Sequence, residues 1–441
     1  MLPRGKDTSA ISFRGQFART ATLLRLIGFF SIDEVSLGIP KGPSNLETVY
    51  FVTLIGMDGF VMSCQLVTVY REWNGNRQTA FEVGCGTLIG TFAMTKSICL
   101  LWRRVEVLDF LYRLSVTWEK YIDKLKEKAI RSFRKANTIL PFYVTGTGCT
   151  IAIFIILPYL DILKQYLYTK NENNSYNFTE TISLATYPFP TENRVSYFLI
   201  LFWEQFLCIS FAIHWLASDF LFVQGVTQII LHLKVLCDDL RNLAEGNESE
   251  HSVLKKLKNI GKRHNELLEY CGRMQEIFSL ILFITMLVLS ILWCFYMFRL
   301  QQTLTNGEYV ISFKYVSLLV TLFLQITIYC SYSNDLTDQT LLISRAIYEC
   351  RWTTRSREFK SILQIMLLRS QKPFQLTACN FFPITLDQLT TVNRRNDSIS
   401  SSCTFHRNNV SLQKPMGAQG PRKPIITPTV DAIRRHRINY G

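Results

Sequence analysis

Six stretches of the chain are long and apolar enough to be membrane spans: about 48–70, 79–102, 138–163, 195–218, 277–298 and 310–332. A hydrocarbon core about 30 Å thick needs ~20 apolar residues per helical crossing. Backbone polar groups in lipid must be satisfied within their own segment, so single spans of this kind are helices. Between spans four and five the pattern turns periodic. Ile229, Leu233, Leu236, Leu240 and Leu243 recur with spacing 4-3-4-3. Val253, Leu257, Ile260, His264, Leu267 and Cys271 continue it after a break at Gly246-Asn247. Each set is one apolar stripe on a helix. Two helices are therefore expected to extend spans four and five beyond the membrane, their stripes buried against each other or against a neighbouring subunit. Segment 103–137 is also helical in pattern, with charges of alternating sign as on a solvated face. The expected fold class is all-α, a polytopic membrane protein.

Composition supports this and removes alternatives. Charged residues are 19% of the 441, hydrophobic ones 48%, and the mean hydropathy is +0.13. Soluble domains carry about a quarter charged residues. The net charge of +14 invites a nucleic-acid reading. No zinc-finger spacing or RNP-like motif accompanies it, so no nucleic-acid partner is expected and the surplus is assigned to cytoplasmic loops. The twelve cysteines form no CxxC pair. Most lie in apolar stretches, where free Cys acts as a small hydrophobe, and no disulfide framework is expected. No cleavable signal peptide is read in residues 1–30, where the short apolar run carries Arg25.

Loop charge sets the expected orientation. With the N-terminus cytoplasmic, the inside segments 1–47, 103–137, 219–274 and 333–372 hold 31 Lys plus Arg. The outside segments 71–78, 164–194 and 300–309 hold 5. Positive residues stay inside. Glycosylation acceptors at Asn173 and Asn177 place 164–194 outside on the same terms, against one opposing triplet at Asn247. The chain is thus divided into a cytoplasmic segment 1–47, spans one to four over 48–218, a cytoplasmic helical extension 219–274, spans five and six over 275–332, a segment 333–392, and a tail 393–441. That tail has 9 Lys plus Arg against 2 acids, four prolines and no long apolar run, and is expected to be disordered.

Ionisable residues inside spans are costly and are functional candidates. They are Asp58, Glu82, Lys96, Glu204, His214, Lys314 and, in the last apolar run, Asp387. Glu82, Lys96 and Lys314 lie near span ends, within reach of the interface. Asp58, Glu204 and His214 lie deeper, where helix-to-helix hydrogen bonds are expected of them. His214 and Asp219, five residues apart, fall on different helix faces. No HExxH, GxSxG or phosphate-binding glycine loop is present, so no catalytic residue, metal site or cofactor is expected. The outer halves of the spans are rich in aromatics. Phe81 comes from span two, Phe154 and Tyr159 from span three, Tyr197, Phe198, Phe202, Trp203 and Phe206 from span four, and Phe313 and Tyr315 from span six. Phe198, Phe202 and Phe206 form one helical face. These ten are candidate lining for a small apolar ligand, with lipid contact and interfacial anchoring as the other reading.

The run KPFQLTACNFFPITLDQLTTV, Lys372–Val392, carries a resemblance. Pro373, Leu376, Thr377, Ala378, Phe381, Pro383, Thr385 and Leu386 fall where insect odorant receptors have their last-helix motif. With the length, the span pattern and the helical extension, residues 15–392 resemble that family. The resemblance implies a seven-helix fold with the N-terminus inside. It also implies a subunit of an odorant-gated cation channel in the plasma membrane of olfactory neurons, assembled as a heterotetramer with a shared co-receptor and surrounded by lipid. A small volatile odorant would enter a pocket formed mainly by spans two, three, four and six, and open a gate of seventh helices. The family pattern continues past Val392 for about one more crossing; here Asn393-Arg394-Arg395 follows. Six complete spans are therefore expected, with an incomplete pore helix and a tail of out-of-frame, intron-derived or alternatively spliced origin. A gustatory receptor of the same fold would end in TYxxxxxQF, which is absent. A G-protein-coupled receptor would show DRY or NPxxY motifs, and a transporter internal repeats; neither is seen.

Overall fold

A computed structural model describes residues 13–29, 45–168, 181–189, 193–244 and 248–385. Nine α-helices are described: α1 Phe13–Leu26, α2 Asn45–Glu72, α3 Arg77–Trp102, α4 Arg104–Lys120, α5 Ile122–Tyr168, α6 Arg194–Arg241, α7 Glu250–Thr305, α8 Tyr309–Glu349 and α9 Arg357–Ser370. Among the described residues six helices are long and apolar enough to cross a membrane: α2, α3, α5, α6, α7 and α8. They coincide with the six apolar stretches. The expected glycosylation acceptors Asn173 and Asn177, the opposing triplet residue Asn247, Asp387 and the tail lie outside the described residues.

Helix α6 is the axis of the bundle. It packs against α1, α2, α3, α5, α7 and α8, and every residue from His214 to Leu233 is buried. A helix buried on all sides is one surrounded by protein. The stripe 229–243 is buried, and so is the stripe of α7 from Val253 to Cys271. Both belong to one core with Ile343, Ile347, Phe359 and Leu363 of α8 and α9, so the partner of each stripe lies within the chain. Gly225 allows the closest approach here: a Cβ would stand 3.3 Å from Met274 and 3.4 Å from Phe110. Local signals set the helix starts. Ser249 and Ser356 accept from the backbone N–H three residues on, at 3.4 and 3.3 Å, as N-caps do. Pro141 and Pro158 sit inside α5, each removing one backbone donor from that helix.

The segment after α9 departs from the helix implied by the resemblance. Thr377–Ala378 and Phe382–Pro383 form a two-stranded antiparallel hairpin, Thr377 opposite Pro383 and Ala378 opposite Phe382. Cys379 and Asn380 both have positive φ, 48° and 60°, with Phe381 N donating to Ala378 O at 2.9 Å. Positive φ at both central residues is the geometry of a type I′ turn, which suits a tight hairpin. Gln275 of α7 fixes it, donating to Thr377 O and accepting from Thr377 N, each at 2.8 Å. Cys379 N donates to Ser279 Oγ at 3.0 Å.

Candidate functional site

A cavity of about 210 Å³ lies between α2, α3, α5, α6 and α8. Its walls are Val61 and Gln65 of α2, Val83, Gly86, Ile89 and Gly90 of α3, and Thr147, Thr150, Ile151 and Phe154 of α5. α6 contributes Glu204, Leu207, Cys208, Phe211, Ala212 and Trp215; α8 contributes Lys314, Leu318, Thr321 and Leu322. Small residues make the room: Gly86 and Gly90 of α3 and Ala212 of α6 present little bulk where the two helices line the cavity. A mostly apolar enclosure with a few placed polar groups is the form of a small-molecule site.

Three polar groupings bound the cavity. Ile182, Ser183 and Leu184 close one side. Their loop is tied to buried Glu204, whose carboxylate accepts from Ile182 N at 2.8 Å, Ser183 N at 3.2 Å, the Ser183 hydroxyl and the Tyr187 hydroxyl at 2.7 Å. Thr68 of α2 holds the same loop by accepting from Thr186 N at 2.7 Å. Leu184 adopts φ +50°, a left-handed conformation rare for a bulky residue, within this tied loop. Along the wall, Glu82 receives Lys314 at 2.7 Å and Arg299 at 3.2 Å, and Thr150 meets Thr321 at 2.9 Å.

The third grouping lies under Trp215. Its indole N–H donates to the Tyr143 hydroxyl at 2.7 Å, which donates to Asp219 at 2.8 Å. Asp219 also accepts from Lys96 and Tyr329, each at 2.5 Å, and from Gln325 at 2.9 Å. This corrects the expectation that Lys96 reaches the interface. Its side chain is 1% exposed and is closed in by Phe92, Trp215 and Tyr329. An ammonium at that depth persists only because a carboxylate faces it. Asp58 and His214 pair as helix-to-helix contacts do: Ser210 donates to Asp58 at 3.3 Å, and His214 Nδ1 lies 2.8 Å from Ser97 Oγ.

Of the ten aromatics singled out in sequence, Phe154 lines the cavity. Tyr315 is buried behind the wall, its hydroxyl accepting from Arg299 at 3.2 Å. Tyr197 is buried near the end of α6, and Trp203 packs on the small cluster of Val61, Cys64 and Leu207. Phe81 lies tilted between the rings of Trp73 and Phe295, and Tyr159 accepts from Gln205. Phe198, Phe202, Phe206 and Phe313 are 46%, 72%, 44% and 62% exposed. The aromatic face of α6 is thus turned away from the cavity. Residues two apart on a 3.6-residue helix point about 200° apart, so Phe202 and Glu204 occupy opposite sides. Glu204 was the usable signal: a carboxylate in a span faces the interior, and its i+3, i+4, i+7 and i+8 partners are Leu207, Cys208, Phe211 and Ala212. Gln65 and the Ile182–Leu184 loop carried no comparable mark in the sequence.

The 7tm odorant receptor family matches residues 77–394. Putative odorant receptor 92a of Drosophila melanogaster is 24% identical over 280 residues, 61% of this chain and 67% of that protein. Odorant receptor 13a of the same species is 21% identical over 390 residues, 84% of this chain and 90% of that one. The solved structure of the insect olfactory receptor OR5 from Machilis hrabei, in complex with eugenol, superposes with a TM-score of 0.67 at 16% identity, covering 88% of this chain and 96% of that chain. That likeness is one of fold.

Proposed function

The chain belongs to the 7tm odorant receptor family, and from that premise we propose that it is a ligand-binding subunit of an odorant-gated cation channel, with the cavity beside Trp215 as its ligand site. The observation that carries the reading is the enclosure itself: an apolar cavity of about 210 Å³ between five helices, closed by a tied loop. A family of this kind binds and signals; no group in the cavity is arranged for catalysis. A ligand drives opening only by binding the open state more tightly than the closed one. The cavity wall is shared by helices that continue well past the membrane-length stretch, α6 and α8 above all, so a change of packing at Trp215 reaches the buried core of 219–243. Co-receptor partnership, the plasma membrane of olfactory neurons and a cytoplasmic N-terminus are what the family resemblance and loop charge support. Residues 393–441 contain no apolar run of crossing length, so a chain of these residues alone is proposed to hold ligand and to need a further apolar segment to line a gate.

The test is co-expression with an odorant co-receptor. The tagged chain is expected to co-purify with it, and failure to do so contradicts the subunit reading. The same cells are expected to show little odorant-evoked current beyond that of the co-receptor alone. A robust odorant-specific current from a transcript verified through codon 393 contradicts the reading of the terminal segment.

A further inference from the structure

We propose that the cavity selects apolar molecules whose head group accepts a hydrogen bond and donates none, as a ketone or ester does, through the Lys314 ammonium and the Gln65 amide. The inference rests on the cavity being the ligand site and adds the class of ligand.

The polar groups on the wall divide by what they have left to offer. The threonine protons are spent within the wall: Thr147 donates to Tyr143 O at 2.9 Å, and the Thr150 and Thr321 hydroxyls, 2.9 Å apart, divide their protons between each other and the carbonyls of Gly146 at 3.1 Å and Ser317 at 3.0 Å. The Glu204 carboxylate already takes four donors from Ile182, Ser183 and Tyr187. The Glu82 carboxylate takes Lys314 and Arg299. Two groups keep unspent donors. Lys314 uses one N–H on Glu82, at 2.7 Å, and its ammonium stands 4.6 Å from the centre of the Phe154 ring. An ammonium has three donors. Gln65 turns its carbonyl oxygen to the Thr87 hydroxyl at 3.1 Å, sharing that one proton with Val83 O at 2.9 Å, and its side-chain N–H₂ meets no acceptor among the described residues. Both side chains line the cavity, and Gln65 is 7% exposed.

Donors left over in an apolar enclosure are costly, and the cost is relieved by an acceptor. A carbonyl oxygen supplies one directly, whereas an O–H would also need an acceptor on a wall where Glu204 already takes four donors and Glu82 already faces two cations. Size agrees. A 150 Å³ cavity accepts benzene, so this one takes a molecule of about eight to ten non-hydrogen atoms.

The experiment titrates the purified full chain in detergent with 2-heptanone, heptane, 1-heptanol and heptanoate, followed by tryptophan fluorescence, since Trp215 lines the cavity. 2-Heptanone is expected to bind about tenfold or more tightly than heptane, the effect of a hydrogen bond from a charged donor. It is also expected to bind more tightly than 1-heptanol. Lys314→Met and Gln65→Leu are each expected to weaken 2-heptanone severalfold and to leave heptane unchanged. Glu82 keeps Arg299 when Lys314 is replaced; if that variant nonetheless fails to fold, Gln65→Leu decides alone. Equal binding of heptane and 2-heptanone overturns the ligand class and leaves the cavity as the site. Tighter binding of heptanoate overturns it in favour of an anion. Binding of none of the four overturns the inference and the site together.

Discussion

Asp219 joins three other helices, accepting from Lys96 of α3, Tyr143 of α5, and Gln325 and Tyr329 of α8. The two ends of its ion pair are not equivalent. Removing Lys96 leaves the carboxylate with three donors from other helices and the Ser218 hydroxyl at 3.3 Å. Removing Asp219 leaves an ammonium facing only aromatic rings. Breaking a buried pair costs about 3–5 kcal/mol when a charge is stranded. Asp219→Ala is therefore expected to lower thermal stability by about that amount and Lys96→Met by clearly less; the reverse order in detergent melts contradicts the network. Residue-scale chemistry was the least legible part of the sequence. The deep acids and bases could be recognised as interior, but Lys96 was misjudged because linear distance from a span end does not give depth in a bundle. The aromatic face of α6 is ambiguous in sequence for a related reason: lipid and ligand both favour Phe, and only phase relative to Glu204 separates them. Phe202, 72% exposed, is expected to tolerate Ala within about 0.5 kcal/mol, checked by the same melts.

At the scale of elements, the hydrophobic pattern was read well where it was long and periodic. Spans of about 20 apolar residues and stripes at 4-3-4-3 spacing have one physical solution each, and α6, α7 and α8 realise them as single helices running through both regimes. The short hairpin at Thr377–Pro383 was hidden, because two-residue strands leave no periodicity and Cys379 is not a residue that marks a left-handed turn. The extension of α6 also buries His232, with both ring nitrogens unpartnered among the described residues and its ring against Trp118. Burial, reinforced by the nearby Arg263 charge, pushes its pKa down to about 3; burial and Arg369 push His264 down to about 4. Both titrate higher when unfolded, near 6.5. The unfolded chain therefore gains protons first as pH falls. Stability is expected to be insensitive to these two groups above about pH 7 and to fall between about pH 6.5 and 4. His232→Leu is expected to flatten that slope in melts taken at stepped pH, and an unchanged slope contradicts the assignment.

For the whole molecule, the expected orientation rests on charge. The 31-to-5 asymmetry of Lys and Arg predicts that an N-terminal epitope tag stains only permeabilised cells, while a tag within 164–194 stains intact ones. Surface staining of the N-terminal tag contradicts it. The bundle could be anticipated from the chain, but the cavity could not, because it arises where small residues on α3 and α6 coincide across helices distant in sequence. That coincidence also supplies the decisive variant. A Cβ at Gly86 meets nothing nearer than Gln65 Nε2 at 3.8 Å, so Gly86→Leu fills the cavity without forcing the backbone. The measurement is ligand-induced stabilisation of the purified chain by 2-heptanone, taken on the wild type, Gly86→Leu and Phe202→Ala. A ligand that binds only the folded state raises the melting temperature. The wild type and Phe202→Ala are expected to be stabilised alike, and Gly86→Leu not at all. Stabilisation that survives Gly86→Leu and disappears in Phe202→Ala would place the ligand on the outer aromatic face and contradict the cavity as the site.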